Sequence, residues 1–117
     1  LAHKPRVVVI QFGLNDAAVD VWKEPPATES RVSLTEYEQN LRWMIATLRE
    51  QQVKPVLMTT NPTRWTSKLR DLYGKPPYRP EEPDGFDAPV LARYNEAVRR
   101  LAAEHGGWRL ETTRART

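Results

Sequence analysis

The chain has 117 residues, 39% of them hydrophobic, and its 18 Lys and Arg against 15 Asp and Glu leave a net charge of +3. That length supports one domain with its own core, and so small a basic surplus, scattered among acids, is no footprint for nucleic acid. The absence of cysteine excludes disulfides, thiolate catalysis and cysteine-based metal sites, and no apolar run approaches the ~18 residues of a membrane span.

The chain opens on Leu1 where a Met would stand, and an apolar run begins a few residues later, so the expectation is that further chain precedes it. These residues read as no signal peptide, the expected upstream chain could carry one, and the compartment is left open. Arg6-Val-Val-Val-Ile-Gln-Phe12 strings β-branched residues together without polar alternation, the pattern of a strand covered on both faces in a parallel sheet. The run breaks at Gly13-Leu14-Asn15-Asp16. Open α/β sheets bind their ligands outside the carboxyl ends of the strands, which is where these residues fall. Gly13 can take a positive φ and bring backbone close to a ligand, while Asn15 carries an amide that donates two hydrogen bonds without titrating. Such a donor suits a developing oxyanion. Gly, Asn and Asp also dominate turns for conformational reasons alone, so the four residues by themselves do not require chemistry.

Residues 17–31 read as a loop, because Pro25-Pro26 bars helix and ladder alike, and Trp22 is its one large apolar anchor. Ser33 then reads as an N-cap with Glu36 completing a capping box, and Val32 is placed to staple onto Tyr37. Leu34, Tyr37, Leu41, Met44, Ile45 and Leu48 recur at helical spacing and give one apolar stripe for packing. Lys54-Pro55 ends the connection, residues 56–60 read as a second strand, and the βαβ unit so formed has parallel strands. Asn15 and Asn61 therefore share one edge of the sheet.

Residues 61–88 form a long Pro-rich loop with a helical turn around residues 67–73, and connections of this length are often lids or binding loops. Trp65, Tyr73, Tyr78 and Phe86 either wall the Asn15 edge or staple the loop to its own domain. The last helix starts at Asp87 as N-cap, carries Pro89 in its first turn and runs to a Gly106 C-cap, burying Val90, Leu91, Tyr94, Ala97, Val98, Leu101 and Ala102. His105, in its final turn, reads as a cap and not as a base. Beyond Gly107, where Arg109, Arg114 and Arg116 outnumber Glu111, the chain reads as a solvated basic tail.

Taken together, residues 6–106 resemble the SGNH hydrolases, also called GDSL-type esterases and lipases. The resemblance rests on a strand running into G-x-N-D at Gly13 to Asp16, the helix ending near Gln51, the Met58-Thr-Thr-Asn-Pro62 strand exit and Arg93-Tyr-Asn-Glu96. It implies an α/β fold, the βαβα portion of a three-layer, doubly wound, flavodoxin-like parallel sheet. By that resemblance residues 1–106 are the central part of one esterase domain and residues 107–117 a divergent tail. Asn15 would be an oxyanion-hole donor, Gly13 would shape the turn and Asp16 would hold the loop by hydrogen bonds. The implied substrate is a small-molecule ester, lipid or acylated carbohydrate, with neither cofactor nor metal, and Asn61, Trp65 and Tyr78 are candidate substrate contacts.

The family's nucleophile lies in a G-D-S block, a second glycine block gives another oxyanion donor, and a D-x-x-H block gives acid and base. None is present: Ser30, Ser33 and Ser67 lack a preceding Gly-Asp, and His3 and His105 lack the Asp. A Ser-His-Asp mechanism needs a base within reach of the hydroxyl, so the chain alone is expected to be inactive. A different class of reading is a non-catalytic α/β module that binds carbohydrate or protein through the aromatic loop 61–88. No G-x-G-x-x-G follows the first strand, which argues against a dinucleotide fold.

Overall fold

A computed structural model describes residues 6–106 and 108–111. Three parallel strands, β1 (Val7–Ile10), β2 (Lys54–Met58) and β3 (Arg109–Leu110), lie in the order β1-β2-β3. One helical turn, α1 (Leu14–Ala17), follows β1, and α2 (Leu34–Glu50) makes the crossover to β2. After β2 come α3 (Ser67–Tyr73) and α4 (Ala92–Glu104), the latter entered through a π-helical turn at Asp87–Leu91. The protein is thus an α/β unit built on a parallel sheet.

Helix α2 starts as its sequence dictates, with Ser33 Oγ accepting from the Glu36 N–H at 3.2 Å. Its Tyr37, Leu41 and Ile45 interlock with Tyr94, Val98 and Leu101 of α4 over Leu57 of β2, and this cluster is the core. Each such side chain withdrawn from water stabilises the fold by about 1.5–3 kcal/mol. Both helices lie on the Leu57 face. Val7 and Val9, on the other, are 49% and 50% exposed, so the strand expected to be covered on both faces is covered on one. The register sets Val9 beside Val56 and Met58 beside Leu110, which gathers an apolar surface on the face that no helix among the described residues covers.

Strand β2 begins at Lys54 and so includes Pro55, which the sequence reading left in the connection. The ladder explains why proline is tolerated. Lys54 N–H donates toward β1, to the Arg6 carbonyl, and Leu57 N–H donates the other way, to Trp108. Alternation puts the missing N–H of Pro55 on the β3 side, before β3 has begun to pair, so no ladder bond is lost. Strand β3 itself runs through what reads as a solvated tail: Thr59 N–H donates to the Leu110 carbonyl at 3.1 Å, and Arg99 of α4 holds Glu111 at 2.9 Å. Two residues are too few to carry a strand period, which hid it. Residues 112–117 lie outside the described part.

Two loops are fastened differently from expectation. Trp22 is 47% exposed and is no anchor; Val19 and Val21 fill that role from inside the core, and Val19 bridges to Ser30. The loop's neck is an ion pair. Asp20 is buried and takes hydrogen bonds from Arg31 Nε at 2.9 Å and Nη2 at 2.7 Å, with the Trp22 indole N–H and the Lys23 ammonium beside it. In loop 61–88 the rings pack on one another: Tyr78 stacks on Phe86 at 4.8 Å, and Trp65 and Tyr73 meet Phe86 edge-on at 5.6 Å. Asp87 is not the N-cap of the last helix but lies within its π-helical turn, its carboxylate accepting from Thr63 N–H at 2.7 Å and tying the loop's start to its end.

The hydrogen bonds from Arg31 hold the Asp20 carboxyl below the usual carboxylate range against the opposing effect of burial. A carboxyl whose pKa is depressed by folding stabilises the protein above its unfolded pKa, about 4, and loses that contribution as pH falls toward the folded value. Asp20→Asn should therefore cost about 1–2 kcal/mol at pH 7 and flatten the decline in stability below pH 4, as read by urea unfolding at pH 7 and pH 3. Parallel stability–pH curves for the two proteins would refute it.

Candidate functional site

The carboxyl end of β1 is shaped from below by α2. Tyr37 is 1% exposed, its hydroxyl donates to the Phe12 carbonyl at 2.8 Å, and its ring meets Phe12 and Tyr94 at 5.2 and 5.1 Å. Burial, with the charge of Asp16 adding to it, pushes the Tyr37 hydroxyl well above the ordinary phenol range, so it remains a donor. Above it Gly13 takes φ 140°, and a Cβ placed there would stand 3.0 Å from the Tyr37 oxygen. Positive φ and close approach both demand glycine. The Gly13 carbonyl then accepts from Ala17 N–H at 2.8 Å, closing the single turn that carries Asn15 exposed to solvent. Asp16 holds the following loop through its backbone carbonyl, which accepts from Val32 N–H at 2.9 Å.

The exit of β2 forms the facing side. Thr60 donates from its N–H and its hydroxyl to Asn95 Oδ1 on α4, at 3.0 and 3.2 Å. Gln11 Nε2 reaches across from β1 to the Thr59 carbonyl at 3.0 Å and to Asn61 Oδ1 at 3.2 Å. Between the two strand ends opens a cleft of about 370 Å³, lined by Gln11, Gly13, Asn15, Asp16, Thr60 and Asn61 among others. It holds uncharged amides, a hydroxyl and one carboxylate. Such a set can donate to an oxygen that gains negative charge, but it contains neither a nucleophile with an adjacent base nor, among the described residues, a group that could hold a metal.

The cleft thus unites Gly13, Asn15, Asp16 and Asn61 and leaves the other candidates elsewhere. Tyr78 is 3% exposed, its hydroxyl accepts from Val19 N–H at 2.9 Å, and its ring belongs to the aromatic cluster, so it fastens loop 61–88 to the domain. Trp65 donates its indole N–H to the Glu82 carbonyl and borders a separate groove with Arg70 and Pro80. His105 ends α4 just ahead of β3, at the opposite edge of the sheet from the cleft. Sequence reasoning missed Gln11, Thr60 and Asn95. Gln11 had a signal, a lone amide ending an apolar run; Thr60 and Asn95 are paired only by tertiary contact.

The Gly13–Tyr37 contact can be tested by a double-mutant cycle. Gly13→Ala should cost about 1–3 kcal/mol through backbone strain, and Tyr37→Phe about 1 kcal/mol through the orphaned Phe12 carbonyl. Because the phenylalanine removes the oxygen that the new Cβ meets, the double variant should be more stable than the sum of the two by at least ~0.5 kcal/mol. Strict additivity in urea unfolding would show that the two do not touch.

Comparison with known proteins bears on what this cleft belongs to. Over 62 residues the chain is 39% identical to a protein of Bacillus subtilis (strain 168) named "Uncharacterized lipoprotein YqeF", a match that covers 53% of this chain and 24% of that protein. No solved structure matches significantly. The model of the GDSL-like Lipase/Acylhydrolase family matches residues 1–112, a span that includes β1, the Gly13 turn, both sides of the cleft and β3. The chain belongs to the GDSL-like lipase/acylhydrolase family.

Proposed function

We propose that this chain forms the oxyanion side of a serine-type ester hydrolase, with Asn15 as a donor and the nucleophile and base contributed by polypeptide outside these 117 residues. The observation that carries the proposal is the position of Asn15, an exposed amide on a turn locked by Gly13 and Tyr37, in a cleft at the carboxyl ends of two parallel strands. A serine hydroxyl would attack the ester carbonyl as a histidine takes its proton, and the tetrahedral oxygen would accept a hydrogen bond from the Asn15 amide. The intermediate expels the alcohol, which receives that proton, and water then releases the acid. Gly13 shapes the turn, and Asp16 fixes the loop behind it. The substrate is a small-molecule ester, an acylated carbohydrate or a lipid.

The same reading accounts for the bare side of the sheet. Parallel sheets are covered on both faces, and Val7, Val9, Val56, Met58 and Leu110 offer a second face suited to a further layer, as in a three-layer, doubly wound fold. For a carbohydrate- or protein-binding module using loop 61–88, Tyr78 and Phe86 are committed to the core, which leaves Trp65 and its groove as the part of the loop that could contact a ligand.

Alone, the chain should hydrolyse p-nitrophenyl acetate no faster than buffer; a burst that titrates with protein concentration would overturn this. In a full-length enzyme carrying these residues, Asn15→Ala should lower kcat about 100–1000-fold, the equivalent of ~2.7–4 kcal/mol, with KM little changed. Unchanged turnover would remove Asn15 from the mechanism.

A further inference from the structure

The cleft has a second carboxamide, and its orientation follows from its neighbours. Gln11 Nε2 lies 3.0 Å from the Thr59 carbonyl, which can only accept, so the nitrogen of Gln11 and not its oxygen must face that way. The same nitrogen lies 3.2 Å from the Asn61 side chain, and it has a second N–H to donate. Asn61 must therefore turn its oxygen to Gln11. With that oxygen held toward Gln11 the amide's orientation is set, and the end it turns away from Gln11, toward a ligand in the cleft, carries its two N–H groups. The chain neighbours of Asn61 on its N-terminal side are fixed in turn, Thr59 by β3 and Thr60 by Asn95, so the strand exit that carries Asn61 is held on both sides.

We infer that Asn61 is a second side-chain donor to a ligand oxygen in the cleft, and that Gln11 is the positioning residue that makes it a donor. The inference rests on the oxyanion reading of the cleft and deepens it. A lone asparagine at a strand exit can present either end of its amide, and carbonyl and N–H would have opposite effects on an oxygen that gains charge. The Thr59–Gln11–Asn61 relay removes that ambiguity by anchoring the choice to a backbone carbonyl. Asn15 and Asn61 line the same cleft, and with Asn61 held as a donor the preferred ligand is an ester or carboxylate oxygen able to accept from both amides.

The test is a titration of the ¹⁵N-labelled chain with acetate, the simplest carboxylate product, following the side-chain amide resonances. The Asn15 and Asn61 amide groups should shift along a single binding curve. In Gln11→Met, similar in length but without a donor, Asn61 should cease to follow the titration while Asn15 still responds, and the apparent Kd should rise several-fold. A merely structural role for Gln11 would move both residues together or neither. If Asn15 responds and Asn61 does not in the unaltered chain, the inference falls and the oxyanion reading stands; if neither responds, both fall. An Asn61 response that survives Gln11→Met, with the backbone spectrum native, would remove Gln11 from the role. Should that variant not fold, the titration of the unaltered chain decides on Asn61, and the isosteric Gln11→Glu decides on Gln11: an acceptor there turns the Asn61 amide around, so its response should fall further than that of Asn15, which the added charge weakens as well, and an equal fall in both would remove Gln11 from the role.

Discussion

The hydrogen bond from the Tyr37 hydroxyl to the Phe12 carbonyl joins the three parts of the molecule that must agree for the cleft to exist. Tyr37 belongs to the crossover helix, its oxygen supports the end of β1, and its ring rests against Tyr94 of the last helix. Tyr94 in turn donates to the Val32 carbonyl at 2.7 Å, and Val32 N–H reaches the Asp16 carbonyl at the far side of the turn. The turn that carries Asn15 is therefore clamped from below and behind by buried groups. Because the oxygen of Tyr37 occupies the space a Cβ would need, the choice of glycine at position 13 is a consequence of packing as much as of backbone torsion.

What could be read from the sequence was whatever repeats or punctuates. The α2 stripe, its Ser33 cap, the βαβ connection and the shared edge of Asn15 and Asn61 all follow from local pattern and from the geometry of a parallel crossover, and each is found. Misreadings came where tertiary context outranked composition. Four β-branched residues in β1 read as doubly buried although one face is open, Pro55 read as the end of the connection although it lies within β2 with its missing N–H on an unpaired side, and Asp87 read as a cap although its carboxylate is drawn to Thr63. Among the large aromatics, Trp22, read as an anchor, is exposed, while Tyr78 takes the stapling role that was one of its two readings; neighbouring valines and rings, not ring size, decided which was covered. The cleft was half legible. A turn motif names Asn15, whereas Gln11, Thr60 and Asn95 become neighbours only when strands and helix meet.

Electrostatically the molecule separates holding from presenting. Charged groups near the site serve as fasteners: Asp20 with Arg31 closes one loop, and Asp87 with Thr63 closes the other. Beside the Asp16 carboxylate the cleft presents amides and a hydroxyl, groups that do not titrate and whose hydrogen-bonding character is the same at every pH at which the protein is folded. Donors of that kind cost no proton transfer at the moment charge develops, which is the property that preorganised stabilisation requires.

The alternation that bares Val7 and Val9 continues to Gln11, itself exposed at the rim of the same open face. A layer laid across Val9 and Val56 that extended over Gln11 would also shut water away from the bond between Gln11 and Asn61. A hydrogen bond moved into a medium of lower dielectric is stronger and more sharply oriented. With such a layer, coverage of the sheet and the polarity of the cleft would be linked equilibria: burying the valines would stiffen the amide relay, and by reciprocity a ligand that engaged the relay would favour the covered state.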